Sequence, residues 1–220
     1  MITHTNRSTE DYIKGIYRLQ REDTPVATSM LAKHLKIGDG SVTDMLKKLS
    51  DKRLISYEPY QGVRLTQQGR RLALKMVRRH RLWEMFLVKF LHYPWEAIHD
   101  EAERLEHVTS DELEERLDKA LDYPKVDPHG DPIPTASGEI IELKCKTLAE
   151  CELGQEGILV RVDDESHEIL KYMTKLGMGL NKRILLREKF QFDGSVVIEI
   201  EGKEIPLSPK FAQSLYIEVD

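Results

Sequence analysis

Apolar positions in the first eighty residues recur with the period of a helix. Tyr12, Ile13, Ile16, Tyr17 and Leu19 define one helix, capped by Ser8 or Thr9 and running to Arg21. Asp23-Thr24-Pro25 breaks it. Thr28 caps a short second helix, Ser29 to Leu35, that turns Met30, Leu31 and Leu35 inward. Ile37-Gly38-Asp39-Gly40 reads as a tight turn with glycines where positive φ is needed. A third helix, about Ser41 to Lys52, buries Val42, Met45, Leu46 and Leu49. Leu54 to Tyr57 and Val63 to Thr66 then pair as a hairpin around Glu58-Pro59-Tyr60-Gln61-Gly62. Two short helices joined by a turn and followed by a hairpin describe a winged helix-turn-helix.

From Gln68 a long helix carries Leu82, Trp83, Phe86, Leu87, Phe90 and Leu91, apolar on more than one face, until His92-Tyr93-Pro94 ends it. Such a helix needs burial in its own core and again elsewhere, so Trp83, Phe86, Leu87 and Phe90 are the expected interface of a homodimer. Ile98, Ala102 and Leu105 stripe a further helix, and Ser110 starts another over Asp111 to Leu121. Four prolines between Tyr123 and Pro134 forbid a regular element there. Beyond Gly138 the period drops to two: Ile158–Val162, Arg183–Leu186, Val196–Ile200 and Leu215–Val219, with turns at Asp193-Gly194 and Glu201-Gly202-Lys203 and one helix from Glu168 to Leu176. Several short strands in about seventy residues predict a small β-barrel. The expected fold is mainly α with a C-terminal β-barrel. Its domains run 1–72 (winged helix-turn-helix), 73–138 (helical) and 147–220 (barrel), with the first seven residues as a tail and 134–146 as a linker.

Composition narrows the class. The 220 residues are 40% hydrophobic and 32% charged, which suits a folded protein. No apolar run approaches the ~18 residues that span a bilayer, and the first residues lack a signal-peptide core, so a cytoplasmic protein with no membrane partner is expected. Cys145 and Cys151 lack a metal-site spacing and read as buried small apolar residues rather than a redox pair. The net charge of −5 conceals an asymmetry. Residues 1–80 hold 16 Lys and Arg against 8 Asp and Glu, a balance of +8; residues 81–220 hold 17 against 30, a balance of −13. A basic winged module predicts double-stranded DNA as partner. Ser41, Thr43 and Asp44 would meet base edges in the major groove. Lys47, Lys48, Lys52 and Arg53 would neutralise phosphates, and Tyr60, Gln61 and Arg64 in the wing would reach flanking backbone or minor groove.

Candidate chemistry concentrates between Arg79 and Leu117. His80 and Glu84 stand four apart; His99, Glu103, Glu106 and His107 follow on the next predicted helix. At ~100° per residue, those last four share an arc of about 100° on one face. Imidazoles and carboxylates converging beside apolar cover suit a divalent metal site, against the plainer reading of a solvated acidic face. Asp127 and His129 on the proline-rich loop are two more possible ligands.

Glu10-Asp11-Tyr12-Ile13, Arg79-His80-Arg81-Leu82 with Glu84, His99-Asp100-Glu101-Ala102-Glu103 with Leu105-Glu106-His107, and Pro128-His129-Gly130 with Ile133-Pro134 are similar to motifs of one family. Over nearly its whole length the chain resembles the diphtheria toxin repressor and manganese transport regulator family of metal-dependent repressors, most of all its three-domain, manganese-responsive members. The resemblance implies a dimer that binds palindromic operators of metal-uptake genes when Mn²⁺ is bound, with Fe²⁺ or another divalent metal as alternative. It implies a primary site of Asp11, Glu103, Glu106 and His107 with Asp127, and a second site of His80, Glu84 and His99. The C-terminal domain, SH3-like in the family, could lend Asp164, Glu165 or Glu168 to the second. Iron-responsive relatives carry methionine and cysteine where Asp11 and Glu103 stand, and hard oxygen donors suit Mn²⁺ or Fe²⁺. The alternatives are an iron- or zinc-responsive regulator of the same family and, from another class, a metal-dependent hydrolase. The chain lacks His-Glu-x-x-His, and a hydrolase leaves the winged module without a role, so a non-enzymatic regulator is expected.

Overall fold

The computed structural model describes residues 6–21, 24–141, 143–163 and 167–219. The chain forms two compact units. One comprises Met1–His80, Glu103–Glu115 and Pro134–Glu139; the other comprises Arg81–Ala102, Arg116–Ile133 and Ile140–Asp220.

In the first unit, α1 (Arg7–Leu19), α2 (Thr28–Leu35) and α3 (Asp39–Asp51) precede a hairpin of β1 (Ile55–Glu58) and β2 (Gly62–Leu65), after which α4 (Gln67–Lys89) begins. Ile13, Ile16, Leu31, Val42, Leu46 and Leu49 are fully buried between them, as their spacing requires. Three local expectations are corrected. The α1 cap is Asn6, whose side chain accepts from Thr9 N at 3.0 Å, so Ser8 and Thr9 lie inside the first turn. The left-handed residue between α2 and α3 is Lys36 (φ 57°), which ends α2; Gly38 is extended (φ −74°) and Gly40 is already helical. Met30 is exposed, because two turns of helix bury only the flank of Leu31 and Ala32.

The second unit takes up α4 from Arg81. Leu82 packs with Leu117, Leu121 and Ile133, while Leu87 packs with Ile98 and Ala102. Leu87 is thereby consumed by the chain's own core, in contrast to the exposed interface position expected; Phe90 and Leu91 remain exposed. The continuous helix expected to carry Glu106 and His107 is interrupted. α5 is His99–Leu105, and Glu106–Val108 form a 3-10 turn, which advances ~120° per residue and carries Glu106 and His107 off the α-helical face. Thr109 Oγ1 donates to the Leu105 carbonyl at 2.7 Å and closes the segment. α6 (Asp111–Ala120) follows, with Ser110 Oγ accepting from Leu113 N.

The C-terminal part is an open sheet, which corrects the expected barrel. β3 (Lys146–Thr147), β4 (Glu156–Val162), β5 (Arg183–Lys189), β6 (Val196–Ile200), β7 (Lys203–Leu207) and β8 (Leu215–Val219) pair antiparallel in the order β3-β8-β4-β5-β6-β7. The edges are a two-residue strand and one containing Pro206, which lacks an amide donor, so neither favours closure. Glu201 and Gly202 both have positive φ, the conformation a two-residue hairpin needs, and set Ile200 against Lys203. Leu159, Ile184, Leu186, Ile198 and Leu215 face a core closed by α7 (His167–Leu176) and α8 (Pro209–Gln213).

Candidate metal centres and nucleic-acid surface

In the first unit, Glu10, Asp11 and Lys14 lie within one turn of α1, and Glu103, Glu106 and His107 come from α5 and the 3-10 turn after it. Asp11, Glu103 and His107 bring one ligand atom each to within 4.8 Å of one another. His107 Nε2 lies 2.9 Å from Asp11 Oδ1, and its Nδ1 lies 2.7 Å from Glu10 Oε2. Glu106 is fully buried, 2.5 Å from His80 Nδ1 and 2.5 Å from Lys14 Nζ. The same ammonium lies 2.5 Å from Glu103 Oε2. Burial opposes ionisation of Glu103, but the charge and hydrogen bond of Lys14, with His80 and Arg18, outweigh it and hold the carboxyl at about 2. Burial likewise opposes charging His107, yet the close approach of the Asp11 carboxylate, the hydrogen bond to Glu10 and the Glu106 charge raise it to about 9.

Glu10 and Lys14 were not among the expected site residues. The available signal was a lysine in the apolar stripe of α1, next to Ile13 and one turn after Glu10.

In the second unit, Glu84 on α4 and Asp127 and His129 on the proline-rich loop bring ligand atoms to within 4.8 Å, and all three are buried. Within this unit Asp127, expected beside Asp11, stands with Glu84 and His129. Asp127 Oδ1 accepts from His129 N (2.8 Å) and Asp131 N (3.0 Å), while Oδ2 has no hydrogen bond among the described residues and lies 3.4 Å from Arg81 Nε. Burial, then the charges of Glu84 and Asp131, push the Asp127 carboxyl well above its usual range, against Arg81. His129 Nε2 lies 3.0 Å from the Trp95 carbonyl, to which only an N–H can bond, so in the neutral ring the lone pair is on the buried Nδ1, which has no hydrogen bond among the described residues. His99 Nδ1 lies 3.5 Å from Glu84 Oε1, so these two members of the expected second site meet. His80 belongs to the first unit. Glu168 is exposed on α7, and Asp164 and Glu165 lie outside the described residues.

The face of α3 and the wing frames a groove of about 640 Å³ lined by Ser29, Asp39, Thr43, Lys47, Tyr60 and Gln61, among others. Ser41, Asp44, Lys47, Lys48, Lys52, Arg53, Tyr60, Gln61 and Arg64 are exposed. Thr43 is half-buried and its hydroxyl donates to the Asp39 carbonyl at 3.0 Å. On α4, Trp83 and Phe86 meet edge to face at 5.6 Å, and Phe86 and Phe90 at 5.1 Å.

Residues 4–63 match the family model of the iron-dependent repressor N-terminal DNA-binding domain. Residues 66–135 match the iron-dependent repressor metal-binding and dimerisation domain, and 146–219 the FeoA domain. The iron-dependent repressor IdeR of Mycobacterium leprae (strain TN) is 35% identical over 224 residues, covering 96% of each chain. The chain belongs to the iron-dependent repressor family. Within that family, a manganese-dependent transcriptional repressor in complex with manganese is 36% identical with a TM-score of 0.89, over 96% of this chain and 100% of that one. ScaR with bound Zn²⁺ is 38% identical with a TM-score of 0.81, over 96% and 99%. With the diphtheria toxin repressor of Corynebacterium jeikeium (strain K411) the identity is 37% over 127 residues, so the chain spans about half (53%) of that relative. The family is one of DNA-binding, metal-binding repressors and not of enzymes. Among the described residues no helix is long and apolar enough to cross a membrane.

The side chains present fit the divalent cation that membership implies. Buried Asp127 Oδ2 and His129 Nδ1, both without a hydrogen bond, cost free energy unless a cation completes them. Carboxylate and imidazole are the donors in both clusters, and a thiolate is in neither.

Proposed function

We propose that the chain is a divalent-metal-dependent transcriptional repressor, Mn²⁺-responsive before Fe²⁺ or Zn²⁺, that binds palindromic operators of metal-uptake genes as a homodimer. The observation that carries this reading is the convergence of Asp11, on the first helix of the DNA-binding module, with Glu103 and His107. Asp11, Glu103 and His107, with Glu106 beside them, would hold one ion; Glu84, Asp127 and His129 would hold another, with His99 and His80 adjoining these sets. A bound divalent ion supplies positive charge that lets these carboxylates stay ionised and close together. Asp11 ties α1 to the segment around Glu103, and so restrains the body that carries α3 and the wing. A ligand shifts such an equilibrium only by its differential affinity for the two states, about 5.5 kcal/mol for a passage from 1:99 to 99:1.

Selection of DNA fragments in Mn²⁺, followed by fluorescence anisotropy under anaerobic conditions, tests the reading. Binding is expected to be fuller in saturating Mn²⁺ than in saturating Zn²⁺, since selectivity lies in geometry and not in raw affinity, and is expected to vanish in chelator. Equal binding in chelator and in metal would overturn it. The donor set favours manganese because oxygen and imidazole ligands, without sulfur, suit Mn²⁺. The exposed Phe90 and Leu91, continuous with Trp83 and Phe86 on α4, are the proposed dimer surface, and sedimentation of the metal-free protein is expected to show a dimer.

A further inference from the structure

The loop that supplies Asp127 and His129 is seated on the C-terminal sheet through its backbone. β4 carries a bulge: its register with β8 passes from Leu159↔Ile217 to Arg161↔Tyr216, leaving Val160 out of the ladder. At that bulge Gly130 (φ +88°) packs so close that a Cβ would stand 2.0 Å from the Val160 carbonyl oxygen. One residue to either side, Val162 N donates to the His129 carbonyl at 2.9 Å, and Arg161 Nη1 lies 3.7 Å from Asp131 Oδ1. A third attachment runs through Trp95. Its Nε1 donates to Thr174 Oγ1 on α7 at 3.0 Å, its ring stacks on His129 at 5.8 Å, and its carbonyl faces His129 Nε2.

We propose that the C-terminal sheet sets the metal affinity of the Glu84–Asp127–His129 cluster by clamping its ligand loop at the β4 bulge, with Gly130 and Thr174 as positioning residues. The inference rests on reading that cluster as a metal site. A side chain at position 130 has no space against Val160 and forces the loop away from β4. His129 and Asp127 flank or adjoin that point, so their ligand atoms leave the shared locus while Glu84, on α4, stays in place. Thr174 acts more weakly: it fixes Trp95, whose carbonyl holds the His129 tautomer that leaves Nδ1 free to ligate.

The test is Mn²⁺ titration of the full chain, followed by electron paramagnetic resonance of free Mn²⁺ and by tryptophan emission, which Mn²⁺ at His129 should quench through Trp95. Glu84→Gln identifies the ion in question as the one it removes. Gly130→Ala is expected to weaken that ion about 10- to 100-fold, the scale of outer-shell changes, and to leave the other ion at wild-type affinity. Thr174→Val, an isosteric change that removes the hydroxyl bonded to Trp95 Nε1 and to the Leu170 carbonyl, is expected to weaken it about two- to fivefold. A general loss of stability would not single out one ion and its quenching. Wild-type affinity in Gly130→Ala overturns the clamp; if that variant does not fold, wild-type affinity in Thr174→Val overturns it. If Glu84→Gln removes no ion, the reading of the site falls first, and the clamp falls with it.

Discussion

The two acidic clusters are built from the same residue types and are left in opposite electrostatic states. Around Asp11, Glu103 and His107, protein cations already stand among the carboxylates: Lys14 between Glu103 and Glu106, and His107, with its raised pKa, beside Glu10 and Asp11. Around Glu84, Asp127 and His129, the cation beside Asp127 is Arg81, with Nε 3.4 Å away, and among the described residues Asp127 Oδ2 and His129 Nδ1 are buried without hydrogen bonds; Asp11 Oδ1 and His107 Nε2 of the first cluster also lack one, but they face each other at 2.9 Å. The first cluster can persist without metal because Lys14 and protonated His107 offset two of the charges of its four carboxylates, Glu10, Asp11, Glu103 and Glu106. The second is strained until a cation arrives. A metal ion therefore has to displace the His107 proton at the first, and at the second it offsets an unfavourable burial while competing with the proton that the raised Asp127 carboxyl favours.

The largest effect expected from breaking this contrast is at Lys14. Its side chain is 5% exposed and pairs with Glu106, which is fully buried. Removing one partner of a buried pair costs about 3–5 kcal/mol, so Lys14→Met should unfold at much lower denaturant in chelator. Mn²⁺ should restore a large part of that loss, because an ion can take over the neutralisation. If Lys14→Met is as stable as wild type in chelator, the first cluster is not offset by its own cations and the contrast fails.

Asp127→Asn comes next and has the opposite sign on the metal-free protein. Asn keeps the oxygen that accepts from His129 N and Asp131 N but removes a charge that burial and Glu84 oppose. Metal-free stability should hold or rise, while Mn²⁺ at this cluster weakens by more than about 100-fold, beyond the usual reach of an outer-shell change. Calorimetric melts with and without Mn²⁺ check both signs; a clear fall in metal-free stability would show that Asp127 is compensated after all.

The sequence made the helix-turn-helix, the wing and the run of candidate ligands from His80 to His107 legible, because each rests on local spacing. Val42, Leu46 and Leu49 had to share one helix face, and Glu201-Gly202 had to turn the chain between two strands. What escaped depended on contacts distant in sequence. Asp127 could be recognised as a candidate ligand, but its convergence with Glu84 and His129 depends on the path of the loop over β4, which no periodicity encodes. Lys14 stands in the apolar stripe of α1, but only the fold, through α5 and the 3-10 turn, brings Glu103 and Glu106 against it. The barrel failed for a related reason: alternation reveals strands, whereas closure depends on edges, and here those are a two-residue strand and a strand with Pro206.

A pH titration separates the clusters at intermediate scale. His107, raised to about 9, contributes stability that is fully present below about 6.5 and is lost as pH rises through about 9. Glu103, lowered to about 2, contributes stability present above about 4.5 and lost as pH falls through about 2. The metal-free first cluster should thus stabilise the fold most between about 4.5 and 6.5. Ligation by His107 requires loss of its proton, so below about pH 9 the Mn²⁺ affinity of this cluster should rise up to about tenfold per pH unit. Isothermal titration in buffers of different ionisation enthalpy reads the released proton; no proton release at pH 7 would contradict the cationic His107.

The smallest effect expected is on DNA, and it tells which cluster governs the basic surface. Lys47 and Lys48 are exposed on α3, and Lys47 lies 3.8 Å from Asp44, an exposed pair of little energetic weight. Either lysine is therefore available to phosphate without first breaking a strong contact. Replacing one by Ala should flatten the dependence of log affinity on log salt by about one unit, uniformly across sequences, because phosphate neutralisation carries no base information. Fold stability should not change, since neither side chain is buried. Repeating the salt series in Mn²⁺ with Asp11→Asn or Asp127→Asn as background links the two ends of the molecule. Asp11 lies on α1 of the DNA-binding module, so Asp11→Asn should reduce operator affinity while the loss of one unit per lysine persists. Unchanged slopes for both lysine variants would place the DNA contact elsewhere than α3. A greater loss of operator affinity with Asp127→Asn than with Asp11→Asn would make the strained cluster, not the one offset by its own cations, the control point for DNA.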